Sequence, residues 1–407
     1  MFLLLLRALM EESTQLIIGV IGAGTMGSGI AQVAATAGHE VLIFDSNSAV
    51  LVRASDERKK SLLKLVEKGK LTSDKVSAVQ NRIRSSESMK ILSTCDLIIE
   101  AIVENAEIKQ KVFADLDGLV KNDCILASNT SSLSITSIAA ACSKPERVIG
   151  LHFFNPAPLM PLVEIVPGLA TDPAIVKKSF ELMSRWKKFG VIAKDTPGFI
   201  VNRLARPFYG EAIRIFEEQW NGLPPGEKGM ATIDWAMKEI GGFRMGPFEL
   251  MDLIGNDINY TVTETVWKQF FYDPRYKPSL TQKRLFEAGR FGKKNGRGYF
   301  DYSSGAILPE PEKNSELGTK IFKRILAMLI NEAADALYYN VASCSDIDLA
   351  MTKGVNYPKG LLKWCDEEGA ENIVRELNSL RTIYSEERYR PSVLLQQMAK
   401  ENSKFYN

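Results

Sequence analysis

The run LIIGVIGAGTMGSGIAQVAATAGHEVLIFD at 16–45 decides the fold. Its first six residues, LIIGVI, form the continuous apolar pattern of a strand buried on both faces, and they stop at Gly22. Gly22, Gly24 and Gly27 then form GxGxxG, and SGIAQVAATAG keeps helical periodicity up to Gly38, a residue that ends helices. Strand, tight turn and helix follow in that order. Glycine serves such a turn in three ways: a sharp reversal, backbone approach to a pyrophosphate, and close helix-to-strand packing, with the anion resting on the helix N-terminus. A second apolar run, VLIF at 41–44, ends at Asp45, where an acid can accept hydrogen bonds from a ribose diol. With Thr25 and Met26 inside the turn, these residues are the candidate dinucleotide contacts. NAD is expected rather than NADP, because Asp45 repels a 2′-phosphate and Ser46 and Asn47 bring no cation to receive one.

Two further strand-like runs, DLIIEAI at 96–102 and CILASN at 124–129, each follow a helical stretch, which predicts an α/β, doubly wound parallel sheet. The whole chain of 407 residues is long enough for two or three domains. With 45% apolar and 25% charged residues, disordered, collagenous and disulfide-scaffold classes are excluded. Fifty-one basic against 49 acidic residues leave +2, which gives no electrostatic reason for a nucleic acid or membrane partner. Five cysteines without a CxxC pair fit reduced thiols in the cytoplasm and supply no metal site. The start, MFLLLLRALMEE, is too short to cross a bilayer and has Arg7 within it; residues 1–13 read as a frayed extension.

The chain holds only two histidines. His39, between a helix end and a strand, reads as structural. His152 lies in GLHFFNPAPLMPLVEIVPG at 150–168, followed by Pro156, Pro158 and Pro161. Apolar runs on each side predict two strands joined by a stiff connection, which would return Glu164 beside His152. A carboxylate there would orient the imidazole and stabilise its cation, making it a better base.

Seven motifs now stand in order: GAGTMGSGIAQVAA at 22–35, EAIVEN at 100–105, ASNTSSL at 127–133, GLHFFNP at 150–156, DTPGFIVNR at 195–203, MGPFELMDLIG at 245–255 and FGKKNGRGY at 291–299. Together they resemble the L-3-hydroxyacyl-CoA dehydrogenases, from about residue 16 to 302. The resemblance implies a Rossmann-like N-terminal domain and NAD-dependent oxidation of an (S)-3-hydroxyacyl-CoA at C3. It places the base on His152, its orienting partner on Glu164, and hydrogen bonds to the reacting oxygen on Ser131 and Asn202. It adds Glu104, Lys109, Asn155 and Lys294 as dinucleotide contacts, and Ser61 and Lys68, in a basic helical stretch, as coenzyme A contacts. A sugar-acid (gulonate-type) dehydrogenase and a non-catalytic NAD-binding relative are the alternatives. Acyl chain length is not legible.

The rest of the chain repeats itself. Ile233, Asp234, Ala236 and Met237 recur 114 residues later as Ile347, Asp348, Ala350 and Met351, and Gly246, Asp252 and Gly255 recur as Gly360, Asp366 and Gly369. Arg275, Tyr276, Pro278 and Ser279 recur as Arg388, Tyr389, Pro391 and Ser392, offset by 113. Two all-α domains in tandem are therefore expected after the first, with limits at 14–197, 198–302 and 318–407 and a Pro- and Ser-rich linker at 303–317. The second copy is expected to be degenerate and to end without the FGKK tail. The duplication suggests a monomer with an internal pseudo-dimer, or a homodimer.

Overall fold

The computed structural model describes residues 15–69 and 71–406; the extension expected at 1–13 lies outside them. Eight strands build one sheet: β1 (Ile17–Ile21), β2 (Glu40–Phe44), β3 (Ile83–Ser86), β4 (Leu97–Glu100), β5 (Ile125–Ser128), β6 (Val148–Phe153), β7 (Leu162–Pro167) and β8 (Phe189–Ile192). Their spatial order is β3-β2-β1-β4-β5-β6-β7-β8. Pairs from β3 through β6 are parallel and β6–β7 is antiparallel. The order reverses between β1 and β4, the switch point outside which such sheets bind ligands at the carboxyl ends of their strands. The expected doubly wound sheet is thus present. The edge strand β3, reading IRSS, was not expected, because a half-exposed edge carries no apolar run.

One compact unit ends at Gly190 and another begins at Val191. The second is all helical, apart from single-turn elements and isolated bridges, once β8 has ended. Its helix Ser315–Tyr338 is buried on nearly every side, with Ile321, Ile325, Leu329, Ile330 and Ala333 fully buried and the enclosed charges Arg324 and Glu332 among them, as in a helix surrounded by others. Asn314 caps it by accepting from the Glu316 and Leu317 N–H groups. The stretch read as linker therefore ends at residue 314 rather than 317. Among the described residues no helix is long and apolar enough to cross a membrane.

The repeat is built on the same devices twice. Asp234 accepts from the N–H groups of Phe248 (2.9 Å) and Glu249 (3.0 Å), and Asp348 accepts from Leu362 (2.9 Å) and Lys363 (3.0 Å). Asp252 accepts from the N–H groups of Tyr299 and Phe300, while Asp366 accepts from Phe405 (2.8 Å) and Tyr406 (2.9 Å). The second copy does lack the FGKK segment. In its place Phe405 and Tyr406 dock on Asp366 as Tyr299 and Phe300 dock on Asp252 in the first, since main-chain N–H groups satisfy the carboxylate whatever side chains they carry.

Buried charge joins the copies reciprocally. Arg203 Nε donates to Glu332 Oε1 and Arg324 Nε donates to Glu211 Oε1, both at 2.6 Å. Tyr276 OH completes the first pair (2.6 Å) and Tyr389 OH the second (2.8 Å). Each copy thus sends its arginine to the other copy's glutamate, the exchange that defines an isologous contact. Burial opposes ionisation of Glu332, but the guanidinium groups of Arg203 and Arg275 hold its carboxyl below the ordinary value. Substituting Arg324→Met leaves Glu211 buried and charged, and is expected to cost about 3–5 kcal/mol in urea unfolding. Adding Glu211→Met should return most of that loss; an unchanged midpoint for the single variant would show that the pair is not needed.

Candidate active site

Helix α1 (Thr25–Thr36) follows β1 through the glycine turn. Gly22 has φ of +91°, which side chains rarely adopt, and its N–H donates to Phe44 O at 2.8 Å. A Cβ on Gly27 would lie 1.8 Å from Gly22 O, so the helix can start this close to the strand only with glycine there. A Cβ on Gly24 would meet nothing within 4 Å. Gly24 therefore keeps space open rather than packing tight, at a helix start with no acidic residue in its first turn, which is what a pyrophosphate approaching the backbone requires. Thr25 is exposed and Met26 half-buried beside it. At the end of β2, Asp45 Oδ2 accepts from the Ala23 N–H (2.8 Å) and Oδ1 from the Asn47 N–H (3.0 Å). The acid is thereby held against the turn, and these residues fit an NAD adenosine half.

The connection β6–Pro–β7 places His152 directly opposite Glu164 in antiparallel register. His152 Nδ1 lies 2.6 Å from Glu164 Oε2; the histidine side chain is 8% exposed and the glutamate side chain not at all. A carboxylate at that distance keeps the ring proton on Nδ1 and so makes Nε2 the proton-accepting atom. Phe154 covers the ring at 4.5 Å between centroids, and Asn155 is exposed just beyond the strand. Lys188 clamps the connection by donating to Ala157 O (2.6 Å) and Met160 O (2.7 Å), a contact that nothing in the sequence announced. His39 is buried and accepts from the Leu16 N–H, in keeping with a structural reading.

Ser131 sits half-buried in the turn after β5. Glu104 Oε1 grips that turn, accepting from Thr130 Oγ1 (2.6 Å), Ser131 N–H (2.9 Å) and Ser132 Oγ (3.2 Å). Burial raises the Glu104 pKa, but the Lys109 ammonium and these hydrogen bonds outweigh it, leaving the carboxyl below its ordinary value. Lys109, which the resemblance makes a dinucleotide contact, is 1% exposed and lies between Glu100 (2.6 Å) and Glu104 (3.3 Å). Glu100 was missed altogether. Its signal was an acid closing the apolar run LIIE, a strand buried along its full length.

The remaining candidates occupy other places. Ser61 is exposed in the C-terminal half of the helix Ser48–Glu67, and Lys68 is exposed just past its end. In the helical unit, Asn202 lies in the short helix Val201–Leu204, its carbonyl accepting from Arg206 Nε, and Lys294 pairs with Asp257. Among the described residues no group of His, Cys, Asp and Glu could hold a metal ion.

An anion-receptive turn and, in the same unit, an imidazole oriented for proton removal are the equipment of a dehydrogenase that uses a nicotinamide dinucleotide. Comparison with known proteins makes the class specific. The family model "3-hydroxyacyl-CoA dehydrogenase, NAD binding domain" matches 17–196, and "3-hydroxyacyl-CoA dehydrogenase, C-terminal domain" matches twice, at 198–302 and 321–404. The chain is 39% identical to the 3-hydroxyadipyl-CoA dehydrogenase of Escherichia coli K12, across 94% of this chain and 97% of that one. It is 40% identical to the 3-hydroxybutyryl-CoA dehydrogenase of Bradyrhizobium diazoefficiens, across 72% and 97%. A crystal structure of 3-hydroxybutyryl-CoA dehydrogenase from Escherichia coli K12 superposes with a TM-score of 0.87 at 38% identity, covering 95% and 98% of the two chains. The chain belongs to the 3-hydroxyacyl-CoA dehydrogenase family and is an NAD-dependent oxidoreductase.

The glycines of the turn separate folding from binding. Gly24→Ala should keep the wild-type melting temperature, because the added methyl meets open space, while weakening NADH binding in a fluorescence titration. Gly27→Ala should lower the melting temperature outright. Equal affinity in Gly24→Ala and wild type would move the pyrophosphate elsewhere.

Proposed function

We propose that His152 is the general base and Glu164 its orienting partner in oxidation of the C3 hydroxyl of an (S)-3-hydroxyacyl-CoA to a 3-oxoacyl-CoA. The observation that carries this reading is the 2.6 Å contact between His152 Nδ1 and Glu164 Oε2. With Nδ1 committed to the carboxylate, Nε2 takes the hydroxyl proton, and the negative charge of Glu164 stabilises the imidazolium that results. Bound NAD⁺ supplies the acceptor for the hydride that leaves C3. Ser131 and Asn202 donate hydrogen bonds to the C3 oxygen, where charge develops as the ketone forms. Gly22, Gly24, Thr25, Met26, Gly27 and Asp45 hold the dinucleotide, with Glu104, Lys109, Asn155 and Lys294 as its further contacts. Ser61 and Lys68 meet the coenzyme A portion; the exposed ammonium of Lys68 suits a phosphate. The domain limits are 14–197, 198–302 and 318–407, the last extended back to Ser315 where its first helix starts, and the compartment is the cytoplasm.

His152→Gln and Glu164→Gln are each expected to lower turnover by about 10² to 10⁴ with NADH binding retained, read as NADH formation from 3-hydroxyacyl-CoAs of increasing acyl length. Free 3-hydroxybutyrate and gulonate serve as controls. Near wild-type turnover in both variants would remove the assignment, and preference for a free acid would point to a sugar-acid dehydrogenase.

The reciprocal Arg203–Glu332 and Arg324–Glu211 pairs support a monomer whose two helical copies satisfy one another within the chain. Sedimentation equilibrium is expected to return the mass of one chain. A twofold mass that falls to one chain when the face of the first helical copy is altered would refute this.

A further inference from the structure

The carboxylate at the end of β4 takes no part in the chemistry assigned above, yet it is among the most completely enclosed charges in the fold. Glu100 is 0% exposed, as is the Ser128 hydroxyl group's residue opposite it on β5, and Lys109 is 1% exposed. A buried carboxylate is kept only where its partners compensate the lost water. Glu100 Oε1 accepts from Lys109 Nζ (2.6 Å) and from the Ile102 N–H (2.7 Å), and Oε2 accepts from Ser128 Oγ (2.6 Å). The strands do not need this side chain for their pairing. That is done by the main chain, which runs on past the strand ends through Ala101 N–H to Ile21 O and Asn129 N–H to Glu100 O, both 2.8 Å.

What the side chain adds is order in the two loops leaving β4 and β5. From Glu100 one route runs through Lys109 Nζ to Glu104 Oε2 (3.3 Å), and Glu104 Oε1 accepts from the Ser131 N–H at 2.9 Å. The other runs through Ser128, whose Oγ accepts from the Thr130 N–H at 3.2 Å. Both routes converge on the main chain of residues 130 and 131. Of the two contacts Glu104 makes with Ser131, the one to the backbone N–H is the shorter, the hydroxyl lying at 3.4 Å.

We propose that Glu100 is a positioning residue for the reaction, fixing Ser131 through Lys109 and Glu104 on one side and through Ser128 on the other. The proposal rests on the reading of Ser131 as a donor to the C3 oxygen. Alternating charge, carboxylate then ammonium then carboxylate, lets Glu104 stay ionised beside the turn while Lys109 keeps one place. Removing the first charge frees Lys109 to close on Glu104 and pull the turn with it.

The test is a double-mutant cycle on the full-length enzyme, with NAD⁺ and 3-hydroxybutyryl-CoA as the probe substrate. Glu100→Gln is expected to lower kcat about 10- to 100-fold, the cost of a misplaced contact near the reacting centre, with the KM for the thioester little changed. In a Ser131→Ala background the same change should cost less than about twofold, because its effect has already been removed. A purely structural role predicts equal losses in both backgrounds, and that result would overturn the proposal. Should Glu100→Gln not fold, Ser128→Ala takes its place in the cycle: it removes one hydroxyl between Glu100 and the Thr130 N–H, and the same non-additivity is expected. If Ser131→Ala alone leaves kcat intact, the reading of Ser131 falls and the proposal with it; a large Ser131→Ala effect with multiplicative losses overturns the proposal alone.

Discussion

The two-residue period of one antiparallel strand pair is the constraint on which the His152–Glu164 contact depends. His152 lies opposite Glu164, with Leu151 opposite Ile165 and Gly150 opposite Val166, so imidazole and carboxylate share a face of the sheet. A slip of one residue would carry Glu164 to the other face and bring Val163 or Ile165 beside the ring. Register here is held by more than strand pairing. Pro156, Pro158 and Pro161 limit the conformations of the connection, and Lys188 ties two of its carbonyl groups from outside. A connection this stiff returns the chain at one spacing, and that spacing is what sets imidazole and carboxylate in contact.

How much of this was legible in the sequence follows from how local each feature is. The glycine turn, the buried strands β1, β2, β4 and β5 and the acid at 45 were readable, because each depends on residues close in the chain. The His152–Glu164 pair was readable because only a hairpin separates the two. Glu100 and Lys109 were not read as partners: nine residues apart, one ends a strand and the other lies on the next helix, and a lysine in a mixed-charge segment ordinarily reaches water. Only the depth of β4 in the sheet, between β1 and β5, makes that ion pair a buried one. The edge strand β3 escaped for the opposite reason, having too little burial to leave an apolar signature.

In the helical unit, enclosed charge also sets what the sequence can be. Arg324 and Glu332 lie on one helix without exposure, and their ion pairs run to the other copy, to Glu211 and Glu218 from Arg324 and to Arg203 and Arg275 from Glu332. Each needs a carboxylate or guanidinium from the other copy, with a tyrosine hydroxyl completing the set. Such a pair adds little to stability compared with apolar packing, because desolvation opposes the Coulomb attraction. It does penalise any arrangement in which one member is left alone. The reciprocal exchange therefore selects a single way for the two copies to face each other, which apolar helix surfaces by themselves would leave less defined.

The two copies also separate what holds a fold from what serves a ligand. Asp252 and Asp366 accept the same kind of contact, two successive main-chain N–H groups, but the intervening chain differs greatly. Between the helix Leu280–Glu287 and Tyr299 run the eleven residues 288–298, which contain FGKKNGRG; between the helix Val393–Glu401 and Phe405 run only the three residues 402–404. An acceptor satisfied by backbone is indifferent to which side chains arrive, so the docking persists when the loop is reduced to its minimum. A contact that needs a particular side chain, as Asp257 needs the ammonium of Lys294, does not survive such shortening. The residues repeated between the copies are accordingly buried apolar ones such as Ile233 and Ile347, together with those that grip backbone or turn the chain. The loop present in only one copy is where side-chain chemistry peculiar to that copy resides.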